Sequence, residues 1–439
     1  MFSRRSFFLS STAALVVGRA ARLFARDPQR GQGAPVEVGP LPPSIAALSS
    51  MRAEARPITT EERQKRIERA KELMAQSDID ALLLAGGTAM AYFTNMRWGG
   101  SERLFAVVLP VKGEPFFVCP AFERDRAGEL IALGPFARGK ADIRTWEEDE
   151  SPFERVAQGL KDRGIATGRL GVEETVKFVF ADGIAQAAPQ LKVVSGTPVT
   201  AGCRMIKDDH EIALMRLASR ATLKVYEAVF RALQPGMTQN TVSELIEQAY
   251  RRVGFPGEAS IQVGEYTALP HGSIQPQVIK DGSIVMLDDG CSVEGYQSDI
   301  TRTFVIGKAT DKMNTVFDIV KQAQSATLKA ARPGVPLEQL DAIARRIIID
   351  AGYGPGYKYF LHRVGHGMGM DGHEWPYLVK NNMFGWEKAL TLQPGMVFSD
   401  EPGIYIRGEF GVRLEDDLHV TSDGAELFTP QSESLEKPF

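Results

Sequence analysis

The sequence predicts an α+β protein: an α/β domain over residues 57–197, then a larger domain over 205–435 that carries one structural unit twice. Three observations point there. Before about residue 195, β-rich runs alternate with runs of helical spacing, as in an α/β layer structure. Beyond it, Pro235-Gly236 and Gly254-Phe255 recur as Pro333-Gly334 and Gly352-Tyr353, both offset by 98 residues without a gap. In each copy a helix precedes the Pro-Gly pair, strand-like runs follow the Gly-aromatic pair, and a hairpin bearing two carboxylates closes the unit. Two ordinary helical hairpins are the alternative reading of the same helices.

The chain has 439 residues, 44% hydrophobic and 24% charged, which suits a soluble protein of two or three domains. A formal net charge of -4 gives no electrostatic case for nucleic acid or anionic lipid as a partner. Cys119, Cys203 and Cys291 are far apart and odd in number, so neither a disulfide framework nor a zinc knuckle is indicated. Each reads as a small buried hydrophobe.

Taken in order, residues 1–25 read as a signal segment. Ser3-Arg4-Arg5-Ser6-Phe7-Phe8-Leu9 precedes an apolar run to Gly18, then Arg19, Arg22 and a small-residue stop near Ala25. The paired arginines match the twin-arginine type, which predicts export to a bacterial periplasm. The apolar run is too short for a stable membrane anchor. An arginine-rich disordered tail is the other reading. Twin-arginine export carries folded proteins and would suit an enzyme loaded with metal before it leaves the cytoplasm. Residues 26–56, rich in Pro, Gly and Ala, read as a tether.

Within 57–197, Ile67, Ala70, Leu73 and Met74 give Glu61–Ser77 helical spacing. Strand-like runs follow at Ile79–Leu84, Leu104–Val111 and Pro115–Val118, with a turn at Lys112-Gly113-Glu114. The first histidine in the chain is His210, so this domain offers no catalytic constellation. The second domain opens with a helix over about Asp209–Leu233, capped by Asp208 or Asp209.

The chemistry gathers in the two hairpins. Ile284–Ile306 folds about Glu294-Gly295 and places Asp288 and Asp299 nearly equidistant from the turn, hence opposite or diagonal, with Cβ atoms roughly 4.5–8 Å apart. Such a pair repels unless a proton or cation lies between, although a solvated hairpin is the bland alternative. Val397–Tyr405 and Gly411–Leu418 repeat the arrangement about Gly408, with Glu401 and Glu415 equidistant from it. Between the hairpins lies His366, flanked by glycines that let backbone approach closely. Four carboxylates and one imidazole suit two adjacent divalent ions such as Mn, Co or Zn better than one structural zinc. Two ions about 3.5–4 Å apart can share a hydroxide, polarise a carbonyl and clamp a tetrahedral intermediate.

Asp288-Asp-Gly, Tyr296-Gln-Ser-Asp299-Ile-Thr-Arg-Thr-Phe, His366-Gly-Met-Gly, His373-Glu374, Glu401-Pro-Gly-Ile-Tyr and Arg413-Leu-Glu415-Asp together resemble the pita-bread metallopeptidases. That family includes methionyl aminopeptidase, aminopeptidase P and prolidase. The resemblance covers about residues 205–430. Residues 57–195 resemble, more weakly, the N-terminal domain of the aminopeptidase P, prolidase and creatinase branch, so the proline-specific branch is favoured. The resemblance implies that Asp288 chelates one metal, that Asp299 and Glu415 bridge, and that His366 and Glu401 serve the second metal. It implies Glu401 as general base and proton shuttle, His271 near the scissile amide, and His362 and His373 stabilising the intermediate or holding substrate. Arg413 would be an outer partner of the ligating carboxylates.

Loop or core roles remain the alternative for His271, His362 and His373, while His210 and His419 read as structural. The implied activity is cleavage of the Xaa-Pro bond in dipeptides or short peptides by a homodimer. An Xaa-Pro bond has no amide N–H and needs a pocket shaped for the ring. Tyr266, Tyr377 and Phe360 are aromatics available for one. Three alternatives stand beside this reading. Creatinase-like chemistry without metal is disfavoured by the full ligand set. A dimethylsulfoniopropionate lyase would use a related metal site. A binding protein on a dead site would not keep the ligands.

Overall fold

The computed structural model describes residues 40–137 and 141–439. The signal segment, residues 1–25, and the first part of the tether lie outside the described residues. Residues 40–56 depart from a tether. Ile45 and Met51 are buried in the core of the C-terminal domain. The Met51 amide donates to the Val253 carbonyl at 2.8 Å, and Arg52 Nε donates to Gly254 O at 2.7 Å. Two apolar anchors among Pro and Ala suffice to dock the strap, and the composition hid them.

Six strands form the N-terminal sheet: β1 (Ala81–Ala85), β2 (Ala106–Pro110), β3 (Phe116–Pro120), β4 (Asp142–Trp146), β5 (Gly168–Val172) and β6 (Leu191–Ser195). Their order is β4-β3-β2-β1-β5-β6, antiparallel at the centre and parallel outside. Alternation along β1 sends Leu82 and Leu84 into one apolar layer and Ala81 and Leu83 into the other. Helix Thr60–Gln76 covers the first layer with Ile67, Ala70 and Met74. Thr59 and Glu62 cap it reciprocally. The expected helix at 61–77 and strand at 79–84 fall within two residues of these elements.

The C-terminal domain repeats itself. Helices Asp209–Phe230 and Gln239–Val253 form one pair, Asp311–Ala330 and Leu337–Asp350 the other. Gly236 and Gly334 have φ of 95° and 86°, and Gly254 and Gly352 have 91° and 93°. The offset glycines therefore make the same left-handed turns at the same places, which only glycine does cheaply. The first helix ends at Phe230 rather than Leu233, and Asp208 caps its N-terminus with Glu211.

Behind the first pair lie β7 (Ser260–Val263), β8 (Ile284–Asp288), β9 (Ser292–Val293), β10 (Tyr296–Gln297) and β11 (Arg302–Val305). The expected long hairpin is interrupted: β8 pairs with β11, and β9 with β10 across the Glu294-Gly295 turn. Both ladders share one register, Leu287 opposite Arg302 and Val293 opposite Tyr296. Between them Asp289 adopts φ 118°, and a Cβ at Gly290 would lie 2.2 Å from Ser298 O. Extending the register sets Thr301 opposite Asp288 and leaves Asp299 diagonal to it.

The second unit supplies β12 (His366–Gly367), β13 (Glu374–Tyr377), β14 (Val397–Asp400), β15 (Gly403–Ile406), β16 (Phe410–Arg413), β17 (Asp416–Val420) and β18 (Ala425–Leu427). Asp400 pairs with Asp416, and Gly403 with Arg413, in one continuous register. Glu401 and Glu415 thus face each other in the gap where the chain passes between two sheets. The three cysteines are buried and free. Among the described residues no helix is long and apolar enough to cross a membrane.

Candidate metal centre

The two hairpins converge. Ligand atoms of Asp288, Asp299 and Glu415 lie within 4.8 Å of one another, as do those of His366, Glu401 and Glu415. Glu415 belongs to both groups. A third group joins Asp299 and His366 to His373, so His373 stands beside the ligands as well as at the expected substrate position. His366 Nε2 is 3.5 Å from Glu401 Oε1 and 3.8 Å from Asp299 Oδ2. Its other nitrogen, Nδ1, contacts the Gly367 carbonyl at 3.2 Å, a contact that a proton on Nδ1 satisfies and that leaves the Nε2 lone pair for a cation among the carboxylates.

The glycines beside His366 admit neighbouring backbone. A Cβ at Gly365 would sit 2.0 Å from Ser399 O, and one at Gly367 would sit 2.5 Å from Glu374 O. They let β12 press against its neighbouring strands, and that packing sets the imidazole.

Electrostatics test whether these residues fit a cation. Arg413 ion-pairs with Asp288 and stands 4.0 Å from Glu415, and among the described residues it is the one guanidinium within 4.0 Å of any of the four carboxyls. Burial, then the charges of its acidic neighbours, pushes Asp299 well above the usual carboxylate range. Burial and the same like charges do so for Glu415, and burial raises Glu401 to about 7. The histidines cannot supply the missing charge. Burial lowers His366 far below its ordinary value, His362 to about 3 and His373 to about 4. Thr301 Oγ1 lies 2.5 Å from Asp288 Oδ1 and 2.6 Å from Glu415 Oε2, yet it has one proton to donate. Oxygen donors with a net deficit of positive charge and one neutral imidazole fit divalent cations.

The centre floors a cavity of about 530 Å³. His271, on an exposed loop, and His373 line it, as does Arg363. Arg363 Nη2 meets His373 Nδ1 at 3.2 Å, and its guanidinium carbon lies 4.2 Å from the Tyr377 ring centroid. Its Nε is buried without a hydrogen-bond partner. His362 is held at both ends: Nδ1 donates to Arg363 O at 2.8 Å, and Tyr405 Oη donates to Nε2 at 2.7 Å. Arg413 in turn donates to that hydroxyl at 3.0 Å. Of the three candidate aromatics, Phe360 is buried in the core, Tyr377 backs Arg363, and Tyr266 is not among the described residues that line the cavity. Tyr357, half exposed, lines the cavity instead.

Several contributors escaped the sequence reading. Thr301 follows Asp299 by two positions in the extended link between β10 and β11, a spacing that carries both to one side. Asp417 accepts the Asp299 amide at 3.3 Å and the Ser219 hydroxyl at 2.6 Å, which fixes the backbone beneath a ligand. Tyr405 and Arg363 had no periodic signal. His210, read as structural, pairs with Glu62 at 2.8 Å, and His419 stands 3.4 Å from Glu426.

Known proteins bear on the same residues. Residues 213–422 match the family described as Metallopeptidase family M24, and residues 66–206 match the Creatinase/Prolidase N-terminal domain. A protein of Bacillus subtilis named "Putative dipeptidase YkvY" is 34% identical over 84% of this chain and 99% of its own. The "Xaa-Pro dipeptidase" of Lactobacillus delbrueckii subsp. lactis is 31% identical over 84% of this chain and 98% of its own. The crystal structure of dipeptidase PepE from Mycobacterium ulcerans superposes with a TM-score of 0.78 at 31% identity, covering 87% of this chain and 99% of that one. The convergent carboxylates, the repeated helix pairs and these matches agree: the chain belongs to metallopeptidase family M24, a pita-bread catalytic domain preceded by a creatinase-type N-terminal domain.

Proposed function

We propose that this protein is a dinuclear metal-dependent dipeptidase that cleaves the Xaa-Pro bond of free dipeptides. The observation that carries the reading is the carboxylate–imidazole floor of the cavity with the Arg363 guanidinium in its wall. Asp288, Asp299 and Glu415 would hold one ion, and His366, Glu401 and Glu415 the other. Bound there, divalent ions supply Lewis-acid polarisation of the scissile carbonyl and lower the pKa of the attacking water.

The chain's own groups do the rest. Glu401 would accept a proton from the attacking water and return it to the leaving nitrogen. That return matters for proline, whose ring nitrogen carries no proton in the peptide and must gain one to leave. His362, neutral and engaged at both nitrogens, stands 3.5 Å from Glu401 Oε2 and bounds its position by packing rather than by a hydrogen bond. His271 and His373 reach into the cavity where the scissile amide would lie.

Arg363 makes no ion pair within 4.0 Å among the described residues, so its charge is free for the carboxylate of a dipeptide. Metal-loaded protein should therefore hydrolyse Xaa-Pro dipeptides about 10–10²-fold better than their C-terminal amides, a charge-assisted hydrogen bond's worth of binding. Arg363→Met should erase that difference by slowing the dipeptide alone. Comparing kcat/KM across dipeptides, amides and Xaa-Pro tripeptides checks this. Absence of peptide turnover by the unaltered metal-loaded protein would overturn the proposal, and equal rates on acid and amide would remove the dipeptide assignment.

We also infer export by the twin-arginine route, which Ser3–Leu9 alone supports. Arg4→Lys with Arg5→Lys should hold the protein in the cytoplasm, read by fractionating cells that express either form. Undiminished recovery of the doubly substituted protein outside the inner membrane contradicts the inference.

A further inference from the structure

We infer that the N-terminal domain sets the position of His373, and that Arg204 is the positioning residue through which it acts. The inference rests on the peptidase reading above. Arg204 ends helix Thr197–Arg204, whose Val199 and Cys203 lie in the N-terminal core. Its guanidinium leaves that domain and enters the loop between β12 and β13. Nη2 donates to Asp371 Oδ2 at 2.6 Å and ion-pairs with Glu374 Oε2. Lys207, on the segment joining the domains, donates to the other Glu374 oxygen at 2.9 Å. Thr88, also of the N-terminal domain, donates to Asp371 Oδ1 at 2.6 Å.

These contacts bracket His373. Asp371 and Glu374 stand on either side of Gly372-His373, and both are held from the N-terminal domain or its junction. The His373 ring itself is touched by two side chains. It is exposed, stacks on His366 with centroids 3.6 Å apart, and meets Arg363. The loop has no slack beneath: a Cβ at Gly369 would strike Glu374 Oε1 at 2.4 Å and Lys207 Cε at 3.0 Å. Glu374 is 7% exposed, so its charge stays put only while both cations face it. With Arg204 gone, the carboxylate turns toward Lys207 or water, and the adjoining His373 moves with it. A shift of about 1 Å at a reacting group costs on the order of 10²-fold in rate.

A purely stabilising latch would act regardless of His373, and a double-mutant cycle separates the two. Full-length, metal-loaded Arg204→Gln should lose about 10–10²-fold in kcat with its metal content unchanged. On a His373→Ala background, Arg204→Gln should cost almost nothing more. Multiplying losses, or an unaffected single variant, would overturn the inference. Should Arg204→Gln not fold, Thr88→Val removes only the hydrogen bond to Asp371, and its cycle with His373→Ala is read by the same two outcomes. Hydrogen–deuterium exchange gives a readout that needs no catalysis. Amides of 367–374 should exchange faster in Arg204→Gln while β8 is unchanged, and unchanged loop exchange counts against the inference. Failure of the peptidase reading is distinct, because there the unaltered protein itself turns over no peptide.

Discussion

Glu401→Gln should leave a folded protein whose turnover falls by about 10²–10⁴-fold from lost general-base help alone. Weakened metal binding should lower it further. Glu401 sits in the gap between two ladders, directly opposite Glu415. Its two oxygens have different neighbours: Oε1 stands 3.5 Å from His366 Nε2, and Oε2 stands 3.5 Å from His362 Nδ1. Glutamine keeps the volume and one carbonyl oxygen, yet it carries no charge for a cation and no basic site for a proton. The fit within the sheet is therefore preserved while both chemical duties are lost. His419→Ala makes the matching control. His419 lies on β17 of the same sheet, opposite Val397, and its nearest ionisable partner is Glu426, outside the cavity. It should cost little activity. Turnover and bound metal per chain, measured for both variants at saturating Mn, decide the matter. Near-normal turnover in Glu401→Gln would end the two-metal mechanism for this protein.

Much of this centre was legible because its parts obey local rules. A hairpin brings residues equidistant from its turn to one level, so Glu401 and Glu415 could be paired by counting from Gly408, whereas the same count about Glu294-Gly295 sets Asp299 only diagonal to Asp288. The repeat was legible because left-handed glycines cannot be exchanged for other residues at their turns. What stayed hidden depends on where distant segments meet. Thr301 touches Glu415 across 114 residues, and Arg204 reaches Glu374 across 170. No periodicity reports such a contact. Arg204 at a helix end and Glu374 in a glycine-rich loop look like solvated charges until the domains close over them. Composition misled in the opposite direction at residues 40–56, where a few apolar side chains outweigh a tether-like background.

Arg302→Met should cost about 3–5 kcal/mol of stability, the range for breaking a buried ion pair from one side. Arg302 is wholly buried on β11, and every hydrogen bond it makes holds the two halves of the domain together or closes its own backbone. Nη2 donates to Asp416 Oδ1 at 2.7 Å and Pro430 O at 2.8 Å, and Nη1 donates to Glu415 O at 2.9 Å and Thr301 O at 3.1 Å. Methionine fills part of the space and supplies none of these donors. Asp416 would then keep only the Thr429 hydroxyl at 2.6 Å and the Gln324 amide at 3.0 Å, with no cation beside a fully buried carboxyl. Burial already pushes that carboxyl up while Arg302 opposes the shift, so loss of the arginine drives Asp416 to take up a proton. The double variant Arg302→Met with Asp416→Asn should recover part of the loss, because it removes the stranded charge as well as its partner. Unfolding of the metal-loaded chain followed by circular dichroism measures both. A single variant as stable as the unaltered protein, or a double variant worse than the sum of the singles, would show that the pair does not join the two halves. Arg302 touches no cavity group through its side chain except the backbone of Thr301 and Glu415. Below its lowered midpoint, Arg302→Met should therefore keep its bound metal, unlike Glu401→Gln.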